Sequence, residues 1–589
     1  MFHKQLAKIH NTGISRTIVV CGNVYDMFFN EEKSEYLPLI SFLYEKSAGP
    51  LKLVYELNGP IRMKDEERIK LREAWINWKS AVAGISTNQL VLSHIKGDKN
   101  SPLDRYGKEF DQNLMDSIGN PRCALEFMRQ ISMASRQMLP NDSIIFFVEA
   151  ADMLLPSGKD ISTMTDEQLH RIAIVQDWIS DPAFINGRNS LVLVSESRSL
   201  LHERISRLPH IAEVEVPYPN LDSRKLLLKE IKIKDTNVED NVVSEISKLT
   251  AGLSLYAIRQ LTKMPFDDLK DLREQTILKV EDYIQSQLGE DVVEFKKPTH
   301  LLKDCVGFSN LKKFLESYLI PRFKATGDDA LPGAAVAGAI GGGKTYLFEA
   351  VASECDMLVL VLKNIRSQWF GQTDVIFERL RRLLEALDRV LIFVDEADTQ
   401  FGSVGADAHE TERRLTGKIQ GMMSDTKLKG KVFWLLMTAR IHLLSPDIRR
   451  PGRVGDLIIP VLDPVGQDRL EFVQWALKSI KINTPTGEKS ALDIAGLDKR
   501  VDESLEKDYS SASFSSLRSN LKYRKVFQSE EELFAEIKDF IQPAISSTRR
   551  YQTLQAISNT TRRSLIPEEF SDAKKIEEEM RKLELSGVR

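Results

Sequence analysis

The chain has 589 residues, of which 42% are apolar and 28% are charged, so a largely disordered chain is excluded. Its formal charge of −4 argues against a globally basic nucleic-acid-binding protein. Its four cysteines lie far apart in the sequence and form no C-x-x-C pair, which argues against a zinc site or disulfide framework and fits a reducing cytosol.

The sequence contains no run of about 18 apolar residues, the length that a membrane span requires. The N-terminus lacks the apolar segment of a secretory signal. We therefore expect a cytoplasmic protein with no membrane span. The first predicted strand begins at Arg16, so we also expect no separate N-terminal adaptor domain.

The first half of the chain alternates short apolar runs with helical segments. A helical stretch near Ala124–Met138 separates the first two runs from the last two, which are rich in β-branched residues. This alternation predicts an α/β fold with a parallel sheet covered on both faces. The runs are Arg16–Cys21, Leu51–Leu57, Ser143–Val148 and Ser190–Val194. We expect a large part over residues 1–220 and a small helical part over 221–288.

The second half repeats this pattern after a polar segment, residues 289–301, which we interpret as a linker. We expect a large α/β part over residues 302–466, followed by helices over 467–589. The predicted strands of the large part are Ala334–Ala339, Met357–Leu362, Arg389–Val394 and Lys431–Met437.

A complete phosphate-binding motif, G-x-x-x-x-G-K-[ST], spans Gly338–Thr345. Its glycines, Gly341, Gly342 and Gly343 among them, allow the backbone N–H groups to surround a polyphosphate. Lys344 would reach the β- and γ-phosphates, and the Thr345 hydroxyl would bind Mg²⁺. Thr345 opens a predicted helix whose N-terminus faces the phosphates, and Tyr346 follows it as a further candidate ligand of the nucleotide. The segment predicts a site for ATP and Mg²⁺.

Two carboxylates, Asp395 and Glu396, follow the apolar run Leu391–Val394. Ligands of open α/β sheets bind at the carboxyl ends of the strands, where this pair would lie. Asp395 could hold Mg²⁺, and Glu396 could act as the base that polarises the attacking water.

With both motifs in place, residues from about 302 to 540 resemble the AAA family, in the clade of hexameric remodelling ATPases. Asp304–Gly307 is similar to the family's adenine-contacting D-x-x-G segment, which implies nucleotide contacts for Val306 and Gly307. Ile448–Arg453 resembles its R-P-G-R segment. The resemblance implies that Arg450 and Arg453 are arginine fingers inserted into the ATP site of a neighbouring subunit.

Further segments carry the same resemblance. Ser367–Gly371 lies where the family has its first pore loop, which implies that Trp369 and Phe370 grip polypeptide. Glu412–Arg414 resembles the start of the helix after the second pore loop. Tyr509–Phe514 resembles the family's lid motif in a worn form, one that has lost the motif's Gly and Asp.

One position departs from the pattern. At the polar sensor position, where the family usually has Asn, Thr438 could supply a hydroxyl. Together with the worn lid motif, this departure suggests slow turnover.

The first half resembles a degenerate copy of the second. Ser143–Asp152 has the shape of the Leu391–Asp398 segment but carries Glu149 in place of Asp and Ala150 in place of the catalytic Glu. No phosphate-binding motif occurs in residues 1–150, and Gly252–Tyr256 resembles the lid motif. An unrelated α/β domain is the alternative. Tandem arrangements with an inactive first module occur in bacterial and plastid AAA proteins.

Three functions compete. The first is a Mg²⁺-dependent ATP-hydrolysing protein remodeller, a homo-hexamer that acts on a protein substrate. The second is a slowly hydrolysing nucleotide switch or scaffold. The third, a DNA-directed machine, has the weakest support, because Thr548–Ser564 is the only arginine-rich stretch and resembles a C-terminal helix of the lid region; we do not expect nucleic-acid binding.

Overall fold

A computed structural model gives the fold of the chain. It describes residues 2–86, 101–158, 164–234, 236–289, 292–296, 298, 300–325, 327–355, 357–363, 373–387, 389–401, 410–484, 487–542 and 545–588. The chain divides into two compact units. The first unit contains Met1–Tyr283 with Asp374–Ala386, and the second contains Ile284–Thr373 with Leu387–Arg589.

The first unit is built on a five-stranded parallel sheet with the order β4-β5-β6-β1-β7. Its central strands are buried on both faces, because Val19 and Phe146 pack into one apolar cluster while Ile18 and Phe147 pack into another. The strands of this unit are β1 (Thr17–Gly22), β2 (Met27–Asn30), β3 (Glu35–Pro38), β4 (Leu51–Tyr55), β5 (Ile144–Val148), β6 (Ser190–Val194), β7 (Ile211–Val216), β8 (Lys232–Ile233) and β9 (Thr236–Asn237).

Helices connect and cover these strands. The expectation of an entirely helical segment over 221–288 misses the short hairpin of β8 and β9, whose two-residue strands are too short to leave a periodic signal. The α-helices of the first unit's continuous segment are Phe2–Thr12, Leu39–Lys46, Asp65–Val82, Pro102–Asp116, Pro121–Met138, Ala151–Leu154, Asp166–Ser180, Pro182–Ile185, Glu203–Ser206, Leu221–Leu228, Asp240–Leu249, Leu255–Thr262 and Leu269–Leu288.

The second unit has a six-stranded sheet with the order β10-β12-β13-β14-β11-β15. Alanines and branched apolar residues fill its strands, and β11 and β13 are buried along their whole length. These strands are β10 (Val293–Lys296), β11 (Gly333–Ala337), β12 (Leu358–Leu362), β13 (Val390–Val394), β14 (Val432–Thr438) and β15 (Ile458–Pro460).

The segment expected to be a linker, residues 289–301, contributes a strand to this sheet. β10 runs antiparallel to β12, with Phe295 opposite Leu360. Val293 is buried although the segment is polar overall. The strand lies at the sheet edge, where one side needs no pairing partner and charged residues are tolerated.

Helices and a small three-stranded sheet, β17-β16-β18, form the rest of the second unit. This sheet corrects the expectation of purely helical structure after residue 467; its strands are β16 (Lys481–Thr484), β17 (Gly487–Ser490) and β18 (Val526–Phe527). The α-helix Thr373–Ala386 belongs to the first unit from Asp374 on. The remaining α-helices are Ser309–Phe314, Ile320–Lys324, Lys344–Cys355, Ala397–Phe401, Glu410–Met423, Gly466–Leu477, Leu497–Ser504, Ser511–Arg524, Glu530–Asp539, Ser546–Ser558 and Ala573–Leu585.

Apart from the antiparallel β10, the two large sheets share one topology. In each, the first parallel strand in sequence lies between the fourth and the fifth, and the second and third follow on the far side of the fourth. The prediction of two α/β parts with parallel sheets is confirmed. Among the described residues, no helix has the length and hydropathy that crossing a membrane requires.

Candidate active site

The phosphate-binding loop joins β11 to the helix Lys344–Cys355, as the motif predicts. Two of its glycines have left-handed backbone angles, with φ of +76° at Gly341 and +85° at Gly343. Gly338 packs so closely on the next strand that a Cβ atom would lie 2.2 Å from the Val461 carbonyl oxygen. The loop therefore needs glycine both for its backbone turns and for its contact with the sheet.

Lys344 is the first residue of the following helix, and its ammonium group lies inside the loop. Its Nζ donates to the carbonyl oxygens of Gly338 at 2.9 Å and Ala339 at 3.0 Å. Burial lowers the pKa of Lys344, while the nearby carboxylates Asp395, Asp398 and Asp463 oppose that shift. A buried cation held only by carbonyl groups can exchange these contacts for phosphate oxygens.

Thr345 and the carboxylates after β13 come together at the mouth of the loop. Thr345 Oγ1 lies 3.4 Å from Asp395 Oδ2, so a hydroxyl and a carboxylate oxygen converge from two elements. Asp395 and Glu396 are both exposed. Glu396 has a φ of +47°, an unusual angle for a residue with a side chain, and this strain is typical of functional positions.

These residues line a cavity of about 640 Å³, together with Ile340, Ala439 and the other loop residues. Its wall combines apolar and aromatic side chains, among them Val306, Phe308 and Phe472, with the polar groups of the loop and of the strand ends. Tyr346 also lines the cavity and stacks on His300 with ring centroids 3.9 Å apart. Gly307 lies behind this wall, where its N–H donates to Glu471. This mixed wall fits a nucleotide, which combines an aromatic base with charged phosphates.

Thr438 ends β14 and also borders the cavity, but its hydroxyl is already bound within the protein. Thr438 Oγ1 donates to Asp398 Oδ1 at 2.5 Å and accepts from the backbone N–H of Arg440. The Arg440 guanidinium forms an ion pair with the other Asp398 oxygen at 2.7 Å. Roles for Asp398 and Arg440 were not predicted from the sequence, although Asp398 lies two residues after Glu396 in the D-E-A-D run.

The segment Tyr509–Phe514, predicted as a lid motif, lies directly against the phosphate loop. Ser510 caps the helix Ser511–Arg524, and the N–H of Ala512 donates to Gly341 O at 3.0 Å. Ser511 borders the cavity, and its buried Oγ has no hydrogen-bond partner among the described residues. An orphaned hydroxyl at this position is an available contact for a bound ligand.

Neither predicted arginine finger lines this cavity. Arg450 is exposed, and its nearest carboxylate is Asp447 at 3.5 Å. Arg453 donates to the carbonyl oxygen of Asp447 and to Ser424 Oγ. The predicted pore-loop residues Trp369 and Phe370 lie outside the described residues. Glu412 and its two neighbours lie in the helix Glu410–Met423.

The first unit has the same backbone geometry at its corresponding strand end. Ala150 follows β5 as Glu396 follows β13, and its φ is +48° against +47° at Glu396. The side chain at this position is a methyl group rather than a carboxylate. Glu149, at the position of Asp395, is half-buried and lies 3.6 Å from Arg62. The shared left-handed angle is unusual for both residue types, and it adds to the common strand order as a likeness between the two sheets.

An internal carboxylate occupies the loop after β1 in the first unit. Asp26 is 2% exposed and accepts hydrogen bonds from the backbone N–H groups of Met27, Leu255 and Tyr256 and from Asn23 Nδ2. Leu255 and Tyr256 open the helix Leu255–Thr262, which begins within the predicted lid motif of this unit, Gly252–Tyr256. The protein's own anion thus binds the helix N-terminus here.

The residues of the second unit fit ATP with Mg²⁺. The loop supplies N–H groups and a lysine, Ser511 supplies an orphaned hydroxyl, and Thr345 and Asp395 supply the hard oxygens that Mg²⁺ prefers. In the described part of the chain, no three His, Cys, Asp or Glu side chains form a cluster that could hold a metal alone. Sharing the ion with phosphates is the usual arrangement for Mg²⁺.

Comparison with protein families agrees with this geometry. Residues 1–217 match the model for the AAA+ chaperone N-terminal Rossmann-like domain. Residues 334–460 match the model for the ATPase family associated with various cellular activities, AAA. The second match contains the phosphate loop, both carboxylates and Thr438, and the first contains the sheet of the first unit. The chain therefore belongs to the AAA+ ATPases.

Proposed function

We propose that the chain is a Mg²⁺-dependent ATPase that remodels proteins as a hexameric ring, with a second unit that hydrolyses ATP and a first unit that does not. The observation that carries this proposal is the 640 Å³ cavity, in which the phosphate loop faces Asp395 and Glu396. Val306 and Tyr346 would contact the base and sugar side of the nucleotide, and the loop glycines its phosphates. Gly307, for which the resemblance implies a nucleotide contact, does not line the cavity, because it is buried and its N–H is bound to Glu471.

The hydrolytic roles follow from the positions of the side chains. Lys344 and the N–H groups of Gly341, Gly342 and Gly343 would bind phosphate oxygens. Mg²⁺, held by Thr345 and Asp395 and by the phosphates, would neutralise negative charge as the terminal phosphoryl group is transferred to water. Glu396 is exposed in the cavity wall, from which it could accept a proton from that water.

Two features support an inactive first unit. Ala150 has no group that could accept a proton, although its backbone matches that of Glu396. The helix N-terminus at Leu255 is already bound by the Asp26 carboxylate. A phosphate group would have to displace a buried ion that accepts four hydrogen bonds.

The proposals of a multisubunit ring and of a protein substrate are supported by the positions of two arginines and by the family match. Arg450 and Arg453 lie outside their own cavity, which is compatible with fingers that act on a neighbouring subunit. Such delivery would make hydrolysis depend on oligomerisation. The family matched by residues 1–217 is named for AAA+ chaperones, which supports a protein substrate, gripped by Trp369 and Phe370. The four cysteines are free thiols, which favours the cytoplasm.

A slowly hydrolysing nucleotide switch is the second candidate. The observation that favours it is the hydrogen bond from Thr438 to Asp398, which occupies the hydroxyl that would otherwise position water. In a switch, ATP binding would order the assembly and turnover would be incidental.

The rate of ATP hydrolysis across a range of protein concentrations distinguishes the two. The motor predicts turnover per chain that rises with concentration and is abolished by Glu396→Gln while ATP still binds. Negligible turnover at every concentration, with intact ATP binding, would favour the switch. Trp369→Ala tests the threading role: retained ATPase activity with unchanged substrate processing would exclude it.

A further inference from the structure

A helix near the end of the chain binds both polar backbone groups of one phosphate-loop residue. Arg549 Nε donates to Ile340 O at 3.1 Å, and Gln552 Oε1 accepts from Ile340 N at 3.0 Å. Both side chains belong to the helix Ser546–Ser558 and are buried, with 7% and 3% exposure. Ile340 lies inside the G-x-x-x-x-G-K-T motif, so this helix fixes the loop from outside the cavity.

The other two nitrogens of the Arg549 guanidinium, Nη1 and Nη2, also donate hydrogen bonds. Nη2 donates to both oxygens of Asp463, at 2.5 and 2.7 Å, and Nη1 donates to the Asp508 carbonyl at 2.9 Å. Asp463 follows β15, and Asp508 precedes the lid helix. One planar fork therefore joins the phosphate loop, the sheet edge and the lid segment, a geometry that lysine cannot reproduce.

Asp463 is close enough to Lys344 for their charges to interact. Burial raises the pKa of Asp463, and the positive charges of Arg549 and Lys344 oppose that shift. In the other direction, Asp463 favours the charged form of Lys344 and Arg549 disfavours it. Without Arg549, an unpaired, half-buried carboxylate would remain near the lysine that must bind phosphate, and it would compete with the nucleotide for that lysine.

We propose that Arg549 is a positioning residue for nucleotide binding: it neutralises Asp463 and braces Ile340, so that Lys344 and the loop N–H groups stay available to phosphate. This inference rests on the proposed ATP site of the second unit. Arg549 acts through the loop and through Asp463 and does not line the nucleotide cavity.

The test is equilibrium binding of ATP and ADP to full-length Arg549→Met, Asp463→Asn and the double variant. We expect Arg549→Met to weaken binding of both nucleotides about tenfold or more, because it leaves Asp463 unpaired. The double variant removes that carboxylate and should regain most of the affinity. If Arg549 acted only by bracing Ile340, the double variant would show no such rescue.

Arg550→Met is the matched control, since it removes the neighbouring arginine of the same helix. Arg550 pairs with Glu579 at 2.7 Å rather than with the loop, so nucleotide affinity should not change. Arg549→Lys provides a second variant if Arg549→Met does not fold: it keeps a charge beside Asp463 but cannot reach all three acceptors, so it should bind with intermediate affinity.

The possible results distinguish a failure of the Arg549 inference from a failure of the proposed ATP site. If the unaltered chain and Arg550→Met bind ATP and Arg549→Met binds equally well, the inference is wrong and the proposed site stands. A double variant as weak as Arg549→Met would also overturn it, as would Arg549→Lys binding as tightly as the unaltered chain. If the unaltered chain itself binds no ATP, the proposed function fails first.

Discussion

The buried carboxylate of Asp26 gives the sharpest prediction for the first unit. Asp26→Ala removes the acceptor for four donors, two of them backbone N–H groups at the start of the helix Leu255–Thr262. A buried donor left without a partner costs about 1–3 kcal/mol, and water entering the vacated space recovers part of this. We therefore expect a loss of about 3 kcal/mol in the stability of this helix against local opening.

Hydrogen–deuterium exchange resolved by peptide measures this loss directly. A change of about 3 kcal/mol corresponds to roughly 100-fold faster exchange of the amides in Leu255–Thr262. Asp240→Ala is the matched control, because Asp240 also begins a helix of this unit but is exposed. It should change exchange in its own helix by severalfold at most. Unchanged exchange at Leu255–Thr262 in Asp26→Ala would refute the view that this carboxylate holds the helix.

Further predictions concern the sensor position, acid stability and Ala150. Thr438→Val should lower the free energy of unfolding of the second unit by about 1–3 kcal/mol, because Asp398 loses a buried donor. Thr438→Ser keeps the hydroxyl, so urea denaturation should show that it retains most of the stability that Thr438→Val loses. Burial, aided by Arg16, lowers the pKa of His10 from 6.5 to about 4. Protonation therefore favours the unfolded chain, and about 3 kcal/mol of stability present above pH 6.5 should be lost as the pH falls towards 4. A His10→Gln variant that shows the same loss in urea titrations would contradict this. Ala150→Gly should stabilise the first unit by about 0.5 kcal/mol in thermal unfolding, because glycine adopts the left-handed angle without strain, and a lower Tm would contradict the assigned conformation.

The sequence was most informative where function requires particular residue types at fixed spacing. The phosphate loop, Asp395 with Glu396 and the degenerate run ending in Asp152 could be placed because each follows an apolar strand. Two sheets of the same class followed from the alternation of strands and helices. The left-handed angle shared by Ala150 and Glu396 had no sequence signal, because neither residue type favours it.

The features that the sequence did not indicate depend on distant contacts. Arg549 meets Ile340 across 209 residues, and Asp26 meets Leu255 across 229. No periodicity in the helix Ser546–Ser558 distinguishes an arginine that braces a loop from one that faces solvent. The edge strand β10 was not predicted, because its charged residues are typical of a linker. Its partner β12 follows the phosphate loop in the sequence, so nothing local to β10 indicates the pairing.

The same contacts weaken the DNA-directed reading of Thr548–Ser564. Arg549 and Arg550 pair with the carboxylates Asp463 and Glu579, and the guanidinium of Arg562 lies over the ring of Tyr318. Phosphate contacts by Arg549 or Arg550 would first require breaking these ion pairs.

The number of ATP molecules bound per chain shows whether the second unit alone binds nucleotide. Equilibrium binding of ATP with Mg²⁺ to the full-length chain should give one site, and Lys344→Ala should abolish it, because the first unit has no phosphate loop. The control Lys363→Ala, which removes a surface lysine paired with Glu294 in the same unit, should leave one site. Two sites per chain, or one that survives Lys344→Ala, would contradict the assignment of nucleotide binding to the second unit alone.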